Sequence, residues 1–410
     1  MKKLKAEFNI PEINTWKELL TKELKTSNGD DPLRYTDEIE ELTFHGSYEL
    51  KQHHKITKKQ NWKIGVHLIV DCCNQANKKA LSLLNQGADT LNFDITNTTE
   101  LNINQLLESI EINYISLYFT VRDKQQEKEV NEWFKTKKTL FLHISTSEES
   151  VDAYKIHALG GNATQELAFA LSKGKSLIEQ NKDTPIHFTF GIGTVFLLEI
   201  AKFRAFHILW DKITTHLNFH HNSYITAQTG FVTKSLKDPY TNLLRQTTES
   251  FSAVLGGIDQ LIVQPYDSLS QHGSSVFTER MSINISLILK EESEINQLED
   301  PFSGSLAIEN HTHILCDAVW KVVQKIESFG GSTSSKTESF LKTEIERIRE
   351  KRVSNIQTKK QTFIGINSYL NPENSALCWK SETKEYLGLK NLILENNFNA
   401  LKNKIASTDK

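Results

Sequence analysis

The sequence predicts an α/β protein built on a (β/α)8 TIM barrel, with an N-terminal arm before the barrel and a helical extension after it. From Trp62 onward, eight short β-rich runs alternate with amphipathic runs, an order typical of a parallel sheet covered by helices. Eight repeats favour closure of that sheet into a barrel. No G-x-G-x-x-G follows the first run, which disfavours the alternative, a doubly wound open sheet that binds a dinucleotide.

The barrel is predicted to occupy residues 62–300, and each of its strands follows from this alternation. The predicted strands are Trp62–Asp71, Asp89–Ile95, Tyr114–Thr120, Thr139–Ser145, Asp152–His157, Ile186–Gly191, Ser223–Thr229 and Gln260–Pro265. The intervening helices are predicted at runs such as Thr164–Glu179, Val195–Leu217 and Tyr240–Leu255, where apolar residues recur at helical spacing.

The arm is predicted at residues 1–61 and the extension at 301–410. In the arm, Trp16–Leu24 has the spacing of a short amphipathic helix, which Asp31-Pro32 ends. In the extension, Leu306–Arg352 reads as helical, followed by a short apolar run and then a polar helix.

Composition excludes several classes of protein. Lys and Arg number 48 against 51 Asp and Glu, so the chain has no excess of positive charge with which to neutralise nucleic-acid phosphates. No window approaches 18 uninterrupted apolar residues, so no membrane span is expected. The N-terminus lacks the apolar core of a secretory signal. The four cysteines and the paired histidines lack zinc or disulfide spacing, so we expect a cytoplasmic protein without a metal site.

Lys155 is the most chemically suggestive residue at the predicted strand ends, where a barrel carries its chemistry. Removal from water lowers the pKa of a lysine, and the neutral amine can then form a Schiff base with a carbonyl group. Asp94 or Asp267 could act as the acid or base in that reaction. The alternative is a lysine that is exposed or paired with a carboxylate. Spacing alone leaves both interpretations open.

Five motifs occur in order between residues 60 and 370. They are Gln165-Glu166-Leu167-Ala168, Lys202-Phe203-Arg204-Ala205, the run from Gln228 to Arg245 with Asp238-Pro239-Tyr240, Asp300-Pro301-Phe302-Ser303-Gly304-Ser305, and Phe363-Ile364-Gly365-Ile366-Asn367-Ser368-Tyr369. Together they resemble the barrel domain of methylmalonyl-CoA mutases and related acyl-CoA mutases. The resemblance implies a TIM barrel that holds acyl-CoA, followed in catalytic members by a separate cobalamin domain with D-x-H-x-x-G.

Departures from the family pattern imply a short subunit without catalytic residues of its own. Tyr154-Lys155 stands where catalytic members have Tyr-His, and Thr226 stands where they have a second histidine. Their Gly-Pro-Tyr-Pro-Thr-Met-Tyr, Thr-Ile-Gln-Asn-Asp and D-x-H-x-x-G motifs have no counterpart here. Vestigial substrate contacts are then expected from Tyr154, Lys155, Arg204 and Gln228. Adenosylcobalamin is expected in a large catalytic partner subunit, with no cofactor bound by this chain.

The side chains predicted to point into the barrel are bulky. Aliphatic residues favour the helix-facing side of each strand, so the opposite set should face inward. That set is His67, Tyr114, Tyr118, Phe141, His143, His187 and Tyr224. In the mutase family the CoA tail threads the barrel past small polar side chains, so an interior filled by these rings would leave it no room.

Two other functions remain open from the sequence. One is an active acyl-CoA mutase barrel that uses a cobalamin domain on a separate chain, which Tyr154, Arg204 and Gln228 favour. The other is a repurposed barrel in which Lys155 forms an imine. If the accessory-subunit interpretation holds, Lys155 should pair with Asp94 or Asp267 or reach solvent at the mouth.

Overall fold

In a computed structural model, the eight predicted strands form one parallel, curled sheet. The structure describes residues 61–146, 149–181, 184–370 and 385–396, together with Thr15, Glu18, Leu19, Lys22 and Glu23. The strands are β1 Lys63–Ile69, β2 Thr90–Asp94, β3 Ser116–Val121, β4 Phe141–Thr146, β5 Val151–Asp152, β6 His187–Ile192, β7 Tyr224–Thr229 and β8 Gln260–Ile262. Their order is β4-β3-β2-β1-β8-β7-β6-β5, with β4 and β5 at the two ends of the sheet.

A helix follows each strand except β4, after which the described residues lead directly into β5, and these helices cover the outside of the sheet. They are α1 Cys73–Asn85, α2 Ile103–Leu106, α3 Lys124–Phe134, α4 Tyr154–Ala158, α5 Ala163–Gln180, α6 Phe196–Leu217, α7 Thr241–Leu255 and α8 Val276–Leu287. A π turn at Ile288–Glu292 and a 3-10 turn at Ile295–Gln297 follow α8. The TIM-barrel prediction is confirmed in this β/α order and in the curl of the sheet.

The curl of the sheet is visible in contacts between strands that lie far apart in its order. The ring centroid of Tyr118 on β3 is 4.9 Å from that of His187 on β6 and 5.2 Å from that of Tyr224 on β7. Alternate residues face outward to the helices: Phe188 and Phe190 of β6 are both fully buried among α6 side chains. The apolar core therefore lies between strands and helices, and polar or aromatic side chains face the barrel axis.

The fifth strand is shorter than predicted. Of the predicted strand Asp152–His157, only Asp152 belongs to β5, and Tyr154–Ala158 forms the helix α4. Here the apolar residues Ile156 and Leu159 are both fully buried at helical spacing. A short apolar run is compatible with either a strand or a buried helix, and this one is helical.

Two helices make up the extension: α9 Leu306–Ser328 and α10 Ser335–Gln357. The predicted helical stretch Leu306–Arg352 is divided at Gly330 and Gly331, which take positive φ angles of +98° and +90°. A hairpin of β9 Glu385–Tyr386 and β10 Leu389–Lys390 follows. Within the predicted arm helix the four described positions, Glu18, Leu19, Lys22 and Glu23, are helical, as is Thr15 just before it; the rest of residues 1–60 lies outside the described residues, as do Cys378 and the tail beyond 396.

Candidate functional site

A cavity of about 890 Å³ opens at the carboxyl ends of the strands. Its walls include Asp94, Thr120, Ser145 and Gln228, which come from the ends of four strands. This size is typical of small-molecule sites, and barrels carry their chemistry at this face. The candidate site is therefore the mouth that the fold class predicts.

The floor of this cavity rests on a cluster of five rings that we call the aromatic plug: Tyr118, Phe141, His143, His187 and Tyr224. The Tyr118 ring is central, with its centroid 5.4 Å from that of Phe141 and 5.7 Å from that of His143. Phe141, His187 and Tyr224 are the first residues of their strands. The plug therefore fills the barrel from its amino end upward.

Six of the seven side chains predicted to face inward do so. Five form the aromatic plug, and His67 lines the cavity. The prediction for Tyr114 is wrong, because β3 begins only at Ser116 and Tyr114 is 77% exposed. Strand alternation therefore does not extend to Tyr114.

The aromatic plug is uncharged at neutral pH. Burial lowers the pKa of His143 to about 4 and holds the pKa of His187 well below its usual value. Burial also raises the pKa values of Tyr118 and Tyr224. The Thr226 hydroxyl donates to Gln260 Oε1 at 2.8 Å, so His187 Nε2, 2.7 Å from Thr226 Oγ1, serves as a donor to it. Thr226, at the family's second histidine position, thus anchors the plug.

Tyr154, Lys155 and Gln228 all line the cavity. Tyr154 is half-buried in the cavity wall; its partial removal from water raises the pKa of its phenol, and it shares a hydrogen bond with Gln228. Lys155 Nζ lies at the rim, 41% exposed, and 3.5 Å from Asp152 Oδ2. The prediction that Lys155 pairs with Asp94 or Asp267 is wrong, because the start of α4 places Lys155 three residues after Asp152 and within reach of its carboxylate.

Arg204 is not among the residues that line the cavity, which corrects its expected place in the binding site. It lies within α6 with no exposed surface and forms ion pairs with Asp300 and with Glu309, the latter at 2.7 Å. The guanidinium ties α6 to the start of the extension. The ion pair between Arg204 and Asp300 joins the two motifs that contain these residues into one structural unit.

A second buried ionic cluster supports the strand β6 from outside. The Gly191 N–H donates to Glu166 Oε1 and the Lys202 ammonium donates to Gly191 O, each at 2.6 Å. Lys202 also lies 2.6 Å from Glu199. Burial, assisted by the neighbouring Glu199 carboxylate that shares the Lys202 ammonium, raises the pKa of Glu166 to about 7. The Gln165-Glu166 motif therefore also serves the scaffold, together with Lys202 of the Arg204 motif.

The roof of the cavity was missed by sequence reasoning. Lys390–Ile393 line the cavity, although this part of the chain was predicted as a polar helix. The run Leu392-Ile393-Leu394 was the available signal, since three consecutive apolar residues near a polar tail indicate a buried contact.

Metal and membrane sites are not found within the described parts of the chain. No group of three or more His, Cys, Asp or Glu side chains there is placed to hold a metal ion. None of the helices described is long and apolar enough to cross a bilayer.

Comparison with known proteins agrees with the motifs. The methylmalonyl-CoA mutase family model matches residues 121–390, about two thirds of the chain. The chain is 28% identical over 368 residues to the methylmalonyl-CoA mutase small subunit of Porphyromonas gingivalis, covering 76% of this chain and 59% of that one. It is 30% identical over 233 residues to the methylmalonyl-CoA mutase of Rhizobium meliloti, covering 54% of this chain and 33% of that one.

Further comparisons add a human relative and a distant fold. The human mitochondrial methylmalonyl-CoA mutase is 30% identical over 234 residues, covering 54% of this chain and 31% of that one. A Yersinia pestis DHPS structure with a pterine-sulfa conjugate aligns with a TM-score of 0.28 and 11% identity, over 59% of this chain and 99% of that one. The chain thus spans between about a third and three fifths of the length of the mutases named here. It belongs to the methylmalonyl-CoA mutase family.

Proposed function

We propose that this chain is a small, non-catalytic subunit of an adenosylcobalamin-dependent methylmalonyl-CoA mutase. Its role is to stabilise a large catalytic subunit that interconverts (R)-methylmalonyl-CoA and succinyl-CoA. The family match and the relative named as a small subunit support this assignment.

The observation that carries the proposal is the aromatic plug. In catalytic relatives the CoA tail threads the barrel, which requires an open axis lined by small polar side chains. Here Tyr118 is 4% exposed and contacts rings from strands on the far side of the barrel. Five packed rings leave no passage for a pantetheine chain. A thioester therefore has no axial route to Lys155 and Gln228 at the mouth.

The replacement of the family histidine by Lys155 points the same way. A neutral imidazole can hydrogen-bond a thioester carbonyl and exchange a proton near pH 7, whereas an ammonium places a full charge on a flexible stem. The Lys155 ammonium lies at the rim against Asp152, and 5.5 Å from the ring of Tyr386. Its position matches that of a surface ion pair.

The cofactor is proposed to lie on the large subunit. The D-x-H-x-x-G motif does not occur in the 410 residues. When bound to its own domain, adenosylcobalamin supplies the radical chemistry of this family.

Reconstitution tests the proposal. The chain, co-expressed with a full-length mutase that carries D-x-H-x-x-G, is expected to elute with it in size-exclusion chromatography and to raise its thermal stability. The isolated chain is expected to bind neither CoA nor adenosylcobalamin in equilibrium dialysis. Separate elution at micromolar concentration, or stoichiometric CoA binding by the isolated chain, would contradict the proposal.

One observation favours a second candidate, an active barrel served by a cobalamin domain on another chain. Tyr154 and Gln228 remain hydrogen-bonded on the cavity wall, as an acyl-binding site requires. Turnover of methylmalonyl-CoA by this chain mixed with an isolated cobalamin domain would establish it. Trapping with borohydride tests the imine alternative, which the ion pair of Lys155 with Asp152 disfavours.

A further inference from the structure

The barrel mouth is crossed by a segment from the far end of the chain, Lys390–Glu395, which we call the strap. The Leu392 N–H donates to Ala158 O at 2.8 Å, and the Leu394 N–H donates to Val232 O at 3.2 Å. Ala158 ends α4, which follows β5, and Val232 follows β7. The strap therefore joins two loops of the mouth, and four of its residues line the cavity beneath.

Apolar side chains anchor the middle of the strap. Leu392 and Leu394 are 2% and 3% exposed and pack in a cluster that includes Ile356 and Phe363. Leu392 approaches Gly160 so closely that a Cβ there would lie 2.5 Å from Leu392 Cδ2. The contact thus depends on a glycine at position 160, where the φ angle is +92°.

Polar contacts fasten both ends of the strap. At one end, Arg349 Nη1 donates to Lys390 O at 2.8 Å. At the other, the 1% exposed Glu395 accepts the N–H of Leu236 at 2.7 Å and that of Lys237 at 3.2 Å. Backbone N–H groups that donate to a carboxylate form strong, charge-assisted hydrogen bonds. Glu395 thus latches the strap to the loop after β7.

We propose that the strap closes the barrel mouth to a docked protein domain and leaves the cavity accessible to small molecules only. Any cofactor domain that served this barrel would have to face its carboxyl end, where the chemistry of barrels takes place. The strap, with its backbone and the Lys390–Ile393 side chains, occupies that approach. This inference rests on the proposed non-catalytic function. The aromatic plug obstructs the barrel axis below the cavity, and the strap obstructs the approach of a protein domain from above it.

Thiol labelling tests the strap in the full-length chain. Ser145 lines the cavity, is 6% exposed, and differs from cysteine by one atom, so Ser145→Cys introduces a reporter. Two native thiols serve as internal standards: Cys72 is exposed, and Cys73 is buried and reacts only if the protein unfolds. Labelling by iodoacetamide and by a polyethylene-glycol maleimide is followed at each site by mass spectrometry.

With the strap in place, the introduced thiol is expected to react with the bulky maleimide at least about a hundredfold more slowly than Cys72 does. Its reaction with iodoacetamide should be much less retarded. Glu395→Ala removes both latch hydrogen bonds and should raise the bulky-reagent rate at least about tenfold, with Cys73 still protected. The matched control is Glu385→Ala, an exposed glutamate on the hairpin just before the strap, which should change nothing.

The inference would be overturned if Ser145→Cys with an unaltered strap reacted equally slowly with both reagents. It would also be overturned if adding Glu395→Ala left the rate of reaction with the polyethylene-glycol maleimide unchanged. If Glu395→Ala exposes Cys73, the comparison of the two reagents in Ser145→Cys alone decides the question. Failure of the strap inference leaves the aromatic plug untouched, so the proposed function stands or falls separately on CoA binding and complex formation.

Discussion

Replacing Arg204 separates a structural role from a substrate-binding role. Its guanidinium has no exposed surface and lies between Asp300 and Glu309, which are 2% and 1% exposed. Arg204→Met keeps most of the side-chain volume and removes the charge. Two buried carboxylates then lose the cation they share, while Glu309 Oε1 still accepts the hydrogen bond from the Gly304 N–H.

The expected cost follows from this burial. Removing one partner of a buried ion pair typically destabilises a protein by about 3–5 kcal/mol. The exposed pair of Lys155 and Asp152 provides the matched control, since exposed pairs contribute only about 0.2–1 kcal/mol. Arg204→Met should therefore lower the free energy of unfolding several times more than Lys155→Met does.

Urea unfolding at pH 7, followed by far-ultraviolet circular dichroism, measures the difference. The triple variant Arg204→Met, Asp300→Asn, Glu309→Gln should recover part of the loss, because it removes the uncompensated carboxylates together with the guanidinium. A free energy of unfolding for Arg204→Met within about 1 kcal/mol of wild type would refute the structural role. Loss of complex activity at unchanged stability would instead return Arg204 to the binding site.

Three further outcomes are expected. Lys155→Ala in the reconstituted complex should leave kcat within about threefold, since its ammonium pairs with Asp152 at the rim; a hundredfold loss with an intact complex would mean that this barrel performs chemistry. Gly191→Ala should lower the free energy of unfolding by about 1–3 kcal/mol, because the new Cβ would lie 2.2 Å from His157 Cγ, and equal urea midpoints would contradict this packing. Burial raises the pKa of Glu166 from 4.5 to about 7, so between these pH values the folded state retains a proton that the unfolded state releases. The stability that this proton contributes is therefore lost as the pH rises from about 4.5 to 7. Glu166→Gln should remove that trend relative to wild type, and parallel pH–stability curves for the two proteins would exclude it.

Much of the fold could be predicted because its signals are local. Strands such as β6 and helices such as α6 each carry their own periodicity, and their alternation determines the class. The inward set was predictable for the same reason: alternation places His187 and Tyr224 opposite the outward Phe188 and Ile225. Prediction failed at Tyr114, which lies two residues before its strand, and at β5, where one apolar run suits two structures.

The candidate site was only partly predictable, because its contacts join distant parts of the chain. Tyr154, Lys155 and Gln228 meet at the mouth, as their motifs implied, but the motifs do not show that Lys155 pairs with Asp152. Arg204 belongs to an equally specific motif, yet its partners lie about a hundred residues further along. A motif records that a residue is constrained, and only the fold distinguishes a buried ion pair from a ligand contact.

By itself, the sequence determined the barrel, the family resemblance and the bulky character of the interior. These properties depend on residue type and on spacing over a few positions, which hydrophobic burial converts directly into secondary structure. The tertiary structure alone decided that five rings from four strands meet as the aromatic plug, that Arg204 lies away from the cavity, and that the strap crosses the mouth. Such contacts depend on how separate elements pack in space, where neighbours 100 or more residues apart determine whether a side chain is buried, paired or free to meet a ligand.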